Sequence, residues 1–444
     1  MVLTVIIFAA TVAAIILGIL FFPKIKIKNG LYVDSYWVIA LVGVILMLIT
    51  GQTDLNALFN ALTEDTAVNP IKILVLFVSM TVLSIFLDEL GFFAYLADVT
   101  LKKAGANKFK LFTYLYAVVS VLTVFTSNDV IILSFTPFIC YFAKNAGINP
   151  LPYLAGEFVA ANTWSMALVI GNPTNIYLAS AFNVGFAEYF KVMLLPTVIA
   201  GITAFCLLVL VFRKTLFEKS EGHPKKEAAS HSAAKGTQIK SKPLLIVGVI
   251  HLGACTILLA ISSYAGLPMW LISLGAAISL SACVLIFSAI KRRTPTELAG
   301  AFKRAPYQLI PFVLSMFAMI TVLSEKGVTE KIASLLGEGG TVFKYGTASF
   351  FASDVVNNIP MSVLFCDVIK FLPQTAKLSA VYATTVGSNL GALFTPIGAL
   401  AGIMWNSILT KQNVKFGYFD FIKIGVTVAL PTLAVTLLTL SFTV

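Results

Sequence analysis

The sequence predicts an all-α polytopic membrane protein built from two inverted repeats, and three observations predict this fold. Hydrophobic residues make up 58% of the 444 residues, charged residues only 11%, and the mean hydropathy is +0.93. Apolar runs of about 20 residues, the length that spans a bilayer, recur along the chain. The order of runs and polar breaks in the first half also recurs in the second half. Soluble domains carry about 25% charged residues, so the composition excludes a cytosolic enzyme.

The first repeat, residues 1–212, is predicted to hold five membrane crossings and one re-entrant helical hairpin. The crossings are the apolar runs 2–22, 36–52, 72–90, 152–180 and 193–212. The hairpin is the longer run 111–146, with the polar break Thr126-Ser127-Asn128-Asp129 at its tip. The run 152–180 is predicted to be a discontinuous helix, because Gly171-Asn172-Pro173-Thr174-Asn175 interrupts it.

A polar stretch rich in Lys, Ala and Ser, residues 213–242, is predicted to be a linker between the repeats. The second repeat, residues 243–444, shows the same order of features. Its crossings are 243–262, 268–290, 306–323, the interrupted run 378–408, and 424–443, and its hairpin is 346–372. The sequence thus predicts about ten transmembrane helices and two hairpins, with two of the helices discontinuous. Five crossings per repeat is an odd number, so the two repeats should have opposite orientations in the membrane.

The basic residues give the orientation. If residues 24–35, 91–110, 144–150, 213–242, 291–304 and 409–423 face the cytoplasm, they hold 24 of the 31 Lys and Arg residues. Cytoplasmic loops of membrane proteins carry such an excess. We therefore predict a plasma-membrane protein with both termini outside and the linker inside. The net charge of +11 is then explained by the basic cytoplasmic loops that orient the protein in the membrane. We therefore expect the lipid bilayer, and no nucleic acid, as a partner.

Enzyme and metal motifs are missing from the sequence. The five cysteines form no C-x-x-C pair, the three histidines form no H-E-x-x-H pair, and there is no phosphate-binding loop. No nucleophile is paired with a base. We expect no enzyme, no resident cofactor and no structural metal. An As(III) site would need two or three thiols together, and Cys140 and Cys366, which follow the two hairpin breaks, are interpreted as core residues.

Inverted repeats with discontinuous helices are typical of secondary transporters, because unwound backbone inside a membrane is tolerated where it lines a binding cavity. An ion channel is the alternative interpretation, since broken helices can also line a selectivity filter. Accumulation of a solute against its gradient would distinguish the two. We expect the substrate to be a small inorganic or organic anion, because helix starts at the breaks present backbone amides with partial positive charge.

The polar residues at the breaks are the candidate substrate ligands. Amide and hydroxyl side chains at this density would be heavily penalised against lipid. The predicted substrate-binding residues are Ser127, Asn128, Asn162, Thr163, Gly171, Asn172, Thr174, Asn175, Asn357, Asn358, Ser388, Asn389 and Thr395. For Ser127 and for the pair Asn357 and Asn358, simple helix capping is the alternative interpretation.

Two carboxylates are the candidate ion-coupling residues. Asp129 follows the first hairpin break, and Asp354 lies one turn before the second. Burying a carboxylate inside a membrane costs free energy, which indicates that these residues have a function. Either H⁺ or Na⁺ is the expected coupling ion, with Na⁺ placed near Asn128, Asp129 and Asn358. Glu157 is also deep, but it lies on a different helix face from Asn162 and is not predicted to be a ligand.

Four stretches resemble the arsenite permease family of the wider ion transporter superfamily. They are Leu87-Asp88-Glu89-Leu90-Gly91-Phe92-Phe93, Asn128-Asp129 with Leu133, Thr136 and Pro137, Gly185 to Tyr189 with Pro196, and Gly391 to Trp405 with Thr395-Pro396-Ile397-Gly398. The resemblance covers nearly the whole chain. It implies a scaffold and a transport domain, elevator-type alternating access, a homodimer, and efflux of arsenite and antimonite coupled to protons, which confers arsenical resistance.

The chain departs from this family at the breaks. The family carries aspartate where this chain has Asn162 and Asn389, and a Ser-Asn start where it has Gly171-Asn172-Pro173. The loop 171–175 is instead similar to those of anion carriers in the superfamily. The leading prediction is an exporter of arsenite, antimonite or a related oxyanion. The alternatives are a sodium-coupled carrier of organic or inorganic anions and a Na⁺/H⁺ antiporter.

Overall fold

The computed structural model describes residues 1–22, 24–26, 32–64, 69–105, 107–218, 239–396 and 398–444. Within these ranges the chain is helical apart from one ribbon, in which β1 (Lys24–Lys26) pairs antiparallel with β2 (Tyr32–Asp34). Most of the predicted linker, residues 219–238, lies outside the described residues.

The described helices of the first half follow the predicted runs. In chain order they are α1 (Val2–Phe21), α2 (Ser35–Ile49), α3 (Leu55–Thr63), α4 (Pro70–Glu89), α5 (Phe92–Ala104), α6 (Lys108–Phe125), α7 (Asn128–Ala146), α8 (Leu151–Trp164), α9 (Pro173–Ala181), α10 (Phe186–Val211) and α11 (Arg213–Phe217). The first hairpin is the pair α6 and α7, and the first broken helix is the pair α8 and α9.

The second half repeats this series. Its helices are α12 (Lys242–Ala265), α13 (Met269–Ile290), α14 (Thr296–Arg304), α15 (Leu309–Glu325), α16 (Val328–Leu336), α17 (Thr341–Val356), α18 (Asn358–Lys370), α19 (Gln374–Gly391), α20 (Leu400–Lys411) and α21 (Tyr418–Leu440). The second hairpin is the pair α17 and α18, and the second broken helix is the pair α19 and α20.

Eight stretches of the described residues are long and apolar enough to cross a bilayer. They are Val2–Ile19, Pro70–Glu89, Lys108–Phe125, Phe186–Val211, Lys242–Ser262, Met269–Ile290, Thr296–Glu325 and Phe419–Leu440. The predicted all-α polytopic fold is confirmed. The number differs from our ten because each broken helix is divided into shorter pieces, α2 has only 15 residues, and α6 alone reaches spanning length. The inverted relation of the halves and the re-entrant placement of the hairpins stay predictions.

Helix starts are encoded by local capping residues. Asn69 accepts hydrogen bonds from the backbone N–H groups of Ile71 and Lys72, and Pro70 occupies the first turn of α4, where a missing N–H costs nothing. Asn172 and Pro173 start α9 in the same way. Such starts place polar side chains at the ends of otherwise apolar helices.

Each hairpin packs against the other half of the chain. The second arm of the first hairpin, α7, contacts α20, and the second arm of the second hairpin, α18, contacts α9. The long helices α10 and α21, which carry the matched prolines Pro196 and Pro431, also contact each other. The two halves therefore interlock, and their broken helices are joined by hydrogen bonds of Asn389 to the first half.

Small residues bring the second hairpin close to the second broken helix. A Cβ on Gly387 would lie 2.0 Å from Ser349 Oγ, and one on Gly391 would lie 1.9 Å from Ser353 Oγ. Glycines four residues apart on one helix face permit this approach of two membrane helices. This face of α19 therefore packs on the hairpin, while Asn389 bonds to the first broken helix.

The sequence analysis missed the short helices α3, α5, α14 and α16, because at 9 to 13 residues they are too short for a spanning window. At the end of α4, Asp88 and Glu89 both pair with Arg304 of α14, at 2.6 and 2.7 Å. This clamp joins the end of α4 to the second half.

Candidate substrate site at the helix breaks

The first broken helix unwinds through two short 3-10 turns, Ser165–Ala167 and Val169–Gly171, before α9 begins at Pro173. Gly171 is required by this path, because a Cβ at this position would lie 2.3 Å from the backbone oxygen of Ser165. That oxygen accepts a hydrogen bond from the Asn175 amide at 2.8 Å. The turn thus satisfies its freed backbone groups with its own side chains, as a buried break must.

Asn389 of the second broken helix is the centre of the hydrogen-bond network. Its Oδ1 accepts from Ser165 Oγ at 2.8 Å and from Asn172 Nδ2 at 2.9 Å. Its Nδ2 donates to Asn175 Oδ1 at 2.7 Å and to the Thr385 carbonyl at 2.8 Å. One fully buried amide therefore ties the two broken helices together.

The tip of the first hairpin joins this network through Asn162. Asn128 Nδ2 donates to Asn162 Oδ1 at 3.1 Å, and Asn162 Nδ2 donates to the Phe158 carbonyl at 2.9 Å. Ser127 precedes α7 but makes no side-chain capping bond, so the capping interpretation of Ser127 is wrong. Asp129 lies in the first turn of α7, beside Asn128.

The second hairpin tip contacts the second break. Asn357 has a φ of +71° and caps α18, and the backbone N–H of Asn358 donates to the Gly398 carbonyl at 2.9 Å. The capping interpretation therefore holds for Asn357. Asp354 Oδ1 accepts from the Thr395 backbone N–H at 3.1 Å and from its hydroxyl at 2.8 Å. A carboxylate of the hairpin thus holds the start of the break.

A set of buried polar atoms at the breaks lacks partners. In the described part of the chain, the hydroxyls of Ser127, Thr163 and Ser388 and the Oδ2 atom of Asp354 make no hydrogen bond. Buried polar groups are normally paired, so these four atoms are the groups at the breaks that could still bind a polar solute. Most of the predicted amide ligands therefore bond to one another or to the backbone. Of the predicted hydroxyls, Thr174 and Thr395 bond to Asn172 and Asp354, and Ser127, Thr163 and Ser388 have no partner among the described residues.

The site carries carboxylates but no basic partner. Within the described residues, neither Asp129 nor Asp354 forms an ion pair with Lys, Arg or His, and no group of three His, Cys, Asp or Glu side chains could hold a metal ion. Among the described residues, the starts of α7, α9, α18 and α20 supply partial positive charge at the breaks. No hydrogen bond joins Asn358 to Asp129 in these ranges.

Sequence reasoning missed Ser165, Thr136 and Thr384. Ser165 bridges Asn162 and Asn389, and its place three residues after Asn162, just before the break, was the available signal. The Thr384 hydroxyl is buried and lacks a partner in the described part of the chain. The Thr136 hydroxyl contacts Glu157, a residue that we had set aside. Hydroxyls inside helices give no pattern that separates ligands from ordinary backbone-bonded side chains.

The thiols lie apart from the open hydroxyls. Cys140 is near Glu157, and Cys366 is near Tyr177 and Asp367. All five cysteines are free. Among the described residues there is no cluster that could ligate a soft ion through three thiols.

Comparisons with known proteins agree with this architecture. The chain is 27% identical over 422 residues to an arsenical pump membrane protein of Escherichia coli, covering 91% of this chain and 94% of that protein. It is 28% identical over 379 residues to the arsenical pump membrane protein of Yersinia enterocolitica, covering 82% and 85%. The YdaH transporter of Alcanivorax borkumensis has the same fold, with a TM-score of 0.55 at 13% identity over 99% and 98% of the two chains.

These likenesses confirm the resemblance to arsenical pumps and the assignment to membrane transport rather than catalysis. A family model described as "Citrate transporter" matches residues 34–387, which include both hairpins, the first broken helix and most of α19, the first part of the second broken helix. The chain therefore belongs to the CitMHS family of membrane transporters.

Proposed function

We propose that this protein is a secondary transporter that exports arsenite, antimonite or a related small oxyanion from the cell. The observation that carries the proposal is that the hydroxyls of Ser127, Thr163 and Ser388 and the Oδ2 atom of Asp354, all at or next to the helix breaks, have no hydrogen-bond partner among the described residues. Arsenous acid is an uncharged trihydroxide near neutral pH, so it offers three O–H donors and three acceptor oxygens. Such a solute matches hydroxyls and carboxylates without a basic residue.

The two hairpins support an elevator-type mechanism. Their tips contact the two broken helices through Asn128 and Asn358, so hairpins and breaks can move as one body against the long helices. We expect both termini outside, the linker inside, and a homodimer in the plasma membrane, as the charge distribution and the superfamily resemblance suggest.

A sodium-coupled carrier of carboxylate anions is the second candidate, because the family model is described as a citrate transporter. A multiply charged anion needs positive partners, and Na⁺ bound beside Asp129 or Asp354 would supply them. Arsenite, antimonite, phosphate and citrate should be tested in proteoliposomes under imposed pH and Na⁺ gradients. Accumulation of citrate but not arsenite would favour the second candidate, and Na⁺/H⁺ exchange without any solute would favour an antiporter.

We expect the coupling ion to be held at the hairpin tips by Asp129 and Asp354. Asp354→Asn retains an oxygen for the Thr395 bonds and replaces the unpaired carboxylate oxygen with an uncharged amide group. Coupling free energies between two ligands are typically about 1–3 kcal/mol, so loss of the charge should lower gradient-driven transport roughly 10- to 100-fold. The same measurement applies to Asp129→Asn.

The matched control for these variants is Asp367→Asn, on the same hairpin, where the carboxylate pairs with Lys370 near the helix end. It should keep the ion dependence of the parent protein. Unchanged dependence on both pH and Na⁺ in Asp129→Asn and Asp354→Asn would contradict the coupling assignment.

Transport should not depend on the thiols. Replacing both Cys140 and Cys366 with alanine is expected to leave the rate of arsenite transport within about twofold of the parent rate. The reason is that the cysteines of the described residues form no cluster of three ligands. Cys255→Ala, a buried thiol that packs against Met80, controls for loss of packing. Loss of arsenite transport in the double variant only would show that thiols bind the solute.

A further inference from the structure

Glu157 is a buried carboxylate that the substrate site does not use. It lies on α8, is 1% exposed, and points to a different neighbourhood from Asn162. Both of its oxygens lie beside one hydroxyl: Thr136 Oγ1 of α7 is 2.9 Å from Oε1 and 3.0 Å from Oε2. Thr136 is also fully buried.

The surroundings of Glu157 are apolar and aromatic. Phe158 packs against Trp405 of α20 and against Phe421 of α21, with ring centroids 5.1 and 5.3 Å apart. Within the described residues Glu157 has no ion pair with Lys, Arg or His. An ionised carboxylate without a positive partner is very costly in such a place.

The two contacts with Thr136 fit a protonated acid. If Glu157 carries a proton, its own O–H can donate to Thr136 Oγ1 while the Thr136 hydroxyl donates to the other oxygen. In the ionised form the Thr136 hydrogen is shared between the two oxygens, and this shared bond is the one hydrogen bond of normal geometry that the carboxylate makes among the described residues. The absence of a positive partner in these ranges, rather than the two distances, therefore favours the protonated acid.

A second donor is ready for the ionised form. The indole N–H of Trp405 lies beside the Glu157 carboxyl, yet it is buried and makes no hydrogen bond of normal geometry in the described part of the chain. A small shift of α20 would let it donate to the carboxylate once the proton has left to water. The protonation state of Glu157 would therefore change the position of α20 relative to α7 and α8.

The titratable groups on the helices around Glu157 are less suited than Glu157 to bind and release a proton. Cys140 of α7 faces it. Tyr116 of α6 and Tyr189 of α10 already donate their hydroxyls to backbone carbonyls, at 2.7 and 3.1 Å. Asp129 is seven residues before Thr136 and so lies on the same face of α7, about 10 Å along the helix. Lys411 of α20 lies at the end of its helix.

The second half has no equivalent acid. Matching Asn162 with Asn389 places Thr384 where the first half has Glu157. The repeated architecture therefore does not itself need a carboxylate at this position, although burying one is costly.

We propose that Glu157, hydrogen-bonded to Thr136 and adjacent to Trp405, is a proton-binding site separate from the hairpin tips, and that release of its proton to water repositions α20 during transport. This inference rests on the proposed function in one respect, that a proton is a coupling ion. Because α20 follows the second break directly, its movement would reach Thr395 and Asp354.

The first test does not require a known solute. In pH-difference infrared spectra of the purified protein, the parent should show a C=O band of a buried protonated carboxyl that disappears in Glu157→Gln. Asp129→Asn and Asp354→Asn should retain this band. A parent spectrum in which Glu157→Gln removes no protonated-carboxyl band would overturn the proposal, whatever the substrate is.

The second test separates coupling from binding in proteoliposomes. Glu157→Gln should lose gradient-driven transport by about tenfold or more, the size of a typical coupling effect, while solute exchange at equal pH falls much less. Trp405→Phe keeps the ring and removes the N–H, so it should shift the midpoint of the pH profile. If Glu157→Gln does not fold, the pH profile of transport by Trp405→Phe tests the proposal instead.

An unchanged pH profile in both variants would overturn the proposal. If the parent protein transports none of the tested solutes, the proposed function fails, while the infrared result still decides the state of Glu157.

Discussion

Asn389→Ala is expected to abolish transport and to destabilise the protein. The change removes an amide that makes four hydrogen bonds, and it leaves Asn172 Nδ2 and Asn175 Oδ1 buried without this partner. Each orphaned buried group costs about 1–3 kcal/mol, so a loss of roughly 3 kcal/mol or more is expected. Thermal unfolding in detergent and solute transport in proteoliposomes measure the two effects.

The control is Asn406→Ala, which removes an exposed amide from a neighbouring helix and should change stability by less than about 0.5 kcal/mol. Asn389→Asp is a sharper companion variant. It keeps the shape but replaces the donor that faces Asn175 Oδ1 and the Thr385 carbonyl with an oxygen. Normal transport by both Asn389 variants would show that the amide network is dispensable.

Gly171→Ala has the second large expected effect, a nearly complete loss of transport. The added Cβ would lie 2.3 Å from the backbone oxygen of Ser165, and a backbone atom cannot move aside as a flexible side chain can. The turn must reopen, which displaces Ser165 and the Asn175 bond to its carbonyl. Overpacking of this kind typically costs about 1–3 kcal/mol.

The matched control is Gly275→Ala on α13, where no atom lies within 4 Å of the added Cβ. Alanine favours a helix over glycine by about 1 kcal/mol, so this control should be neutral or slightly stabilising. Equal transport activity in Gly171→Ala and Gly275→Ala would contradict the structure of the first break.

The amides show how far sequence reasoning reached at the site. Asn128, Asn162, Asn172, Asn175 and Asn389 were all singled out because polar residues interrupt apolar runs, and the structure joins them in one network. Their partners could not be predicted, because Asn389 bonds residues more than 200 positions earlier in the chain. The amides bond mainly to one another or to the backbone, and the open hydroxyls among the predicted ligands, in the described part of the chain, are those of Ser127, Thr163 and Ser388.

Glu157 shows the opposite case. Its spacing from Asn162 correctly separated it from the amide network, but helical spacing says nothing about what lies opposite on another helix. Thr136 and Trp405 reach it from two other helices, one of them in the second half of the chain. Only the packing of α7, α8 and α20 brings these three side chains together.

The sequence by itself determined the class of protein and the positions of the breaks. Apolar length, basic-residue distribution and polar interruptions are local properties that a bilayer constrains strongly, because unsatisfied backbone is excluded from lipid. The tertiary structure decided which polar groups are satisfied and which remain open. That depends on contacts between distant segments, as in the bonds from Asn389 to Ser165, Asn172 and Asn175, and such contacts leave no periodic pattern along the chain.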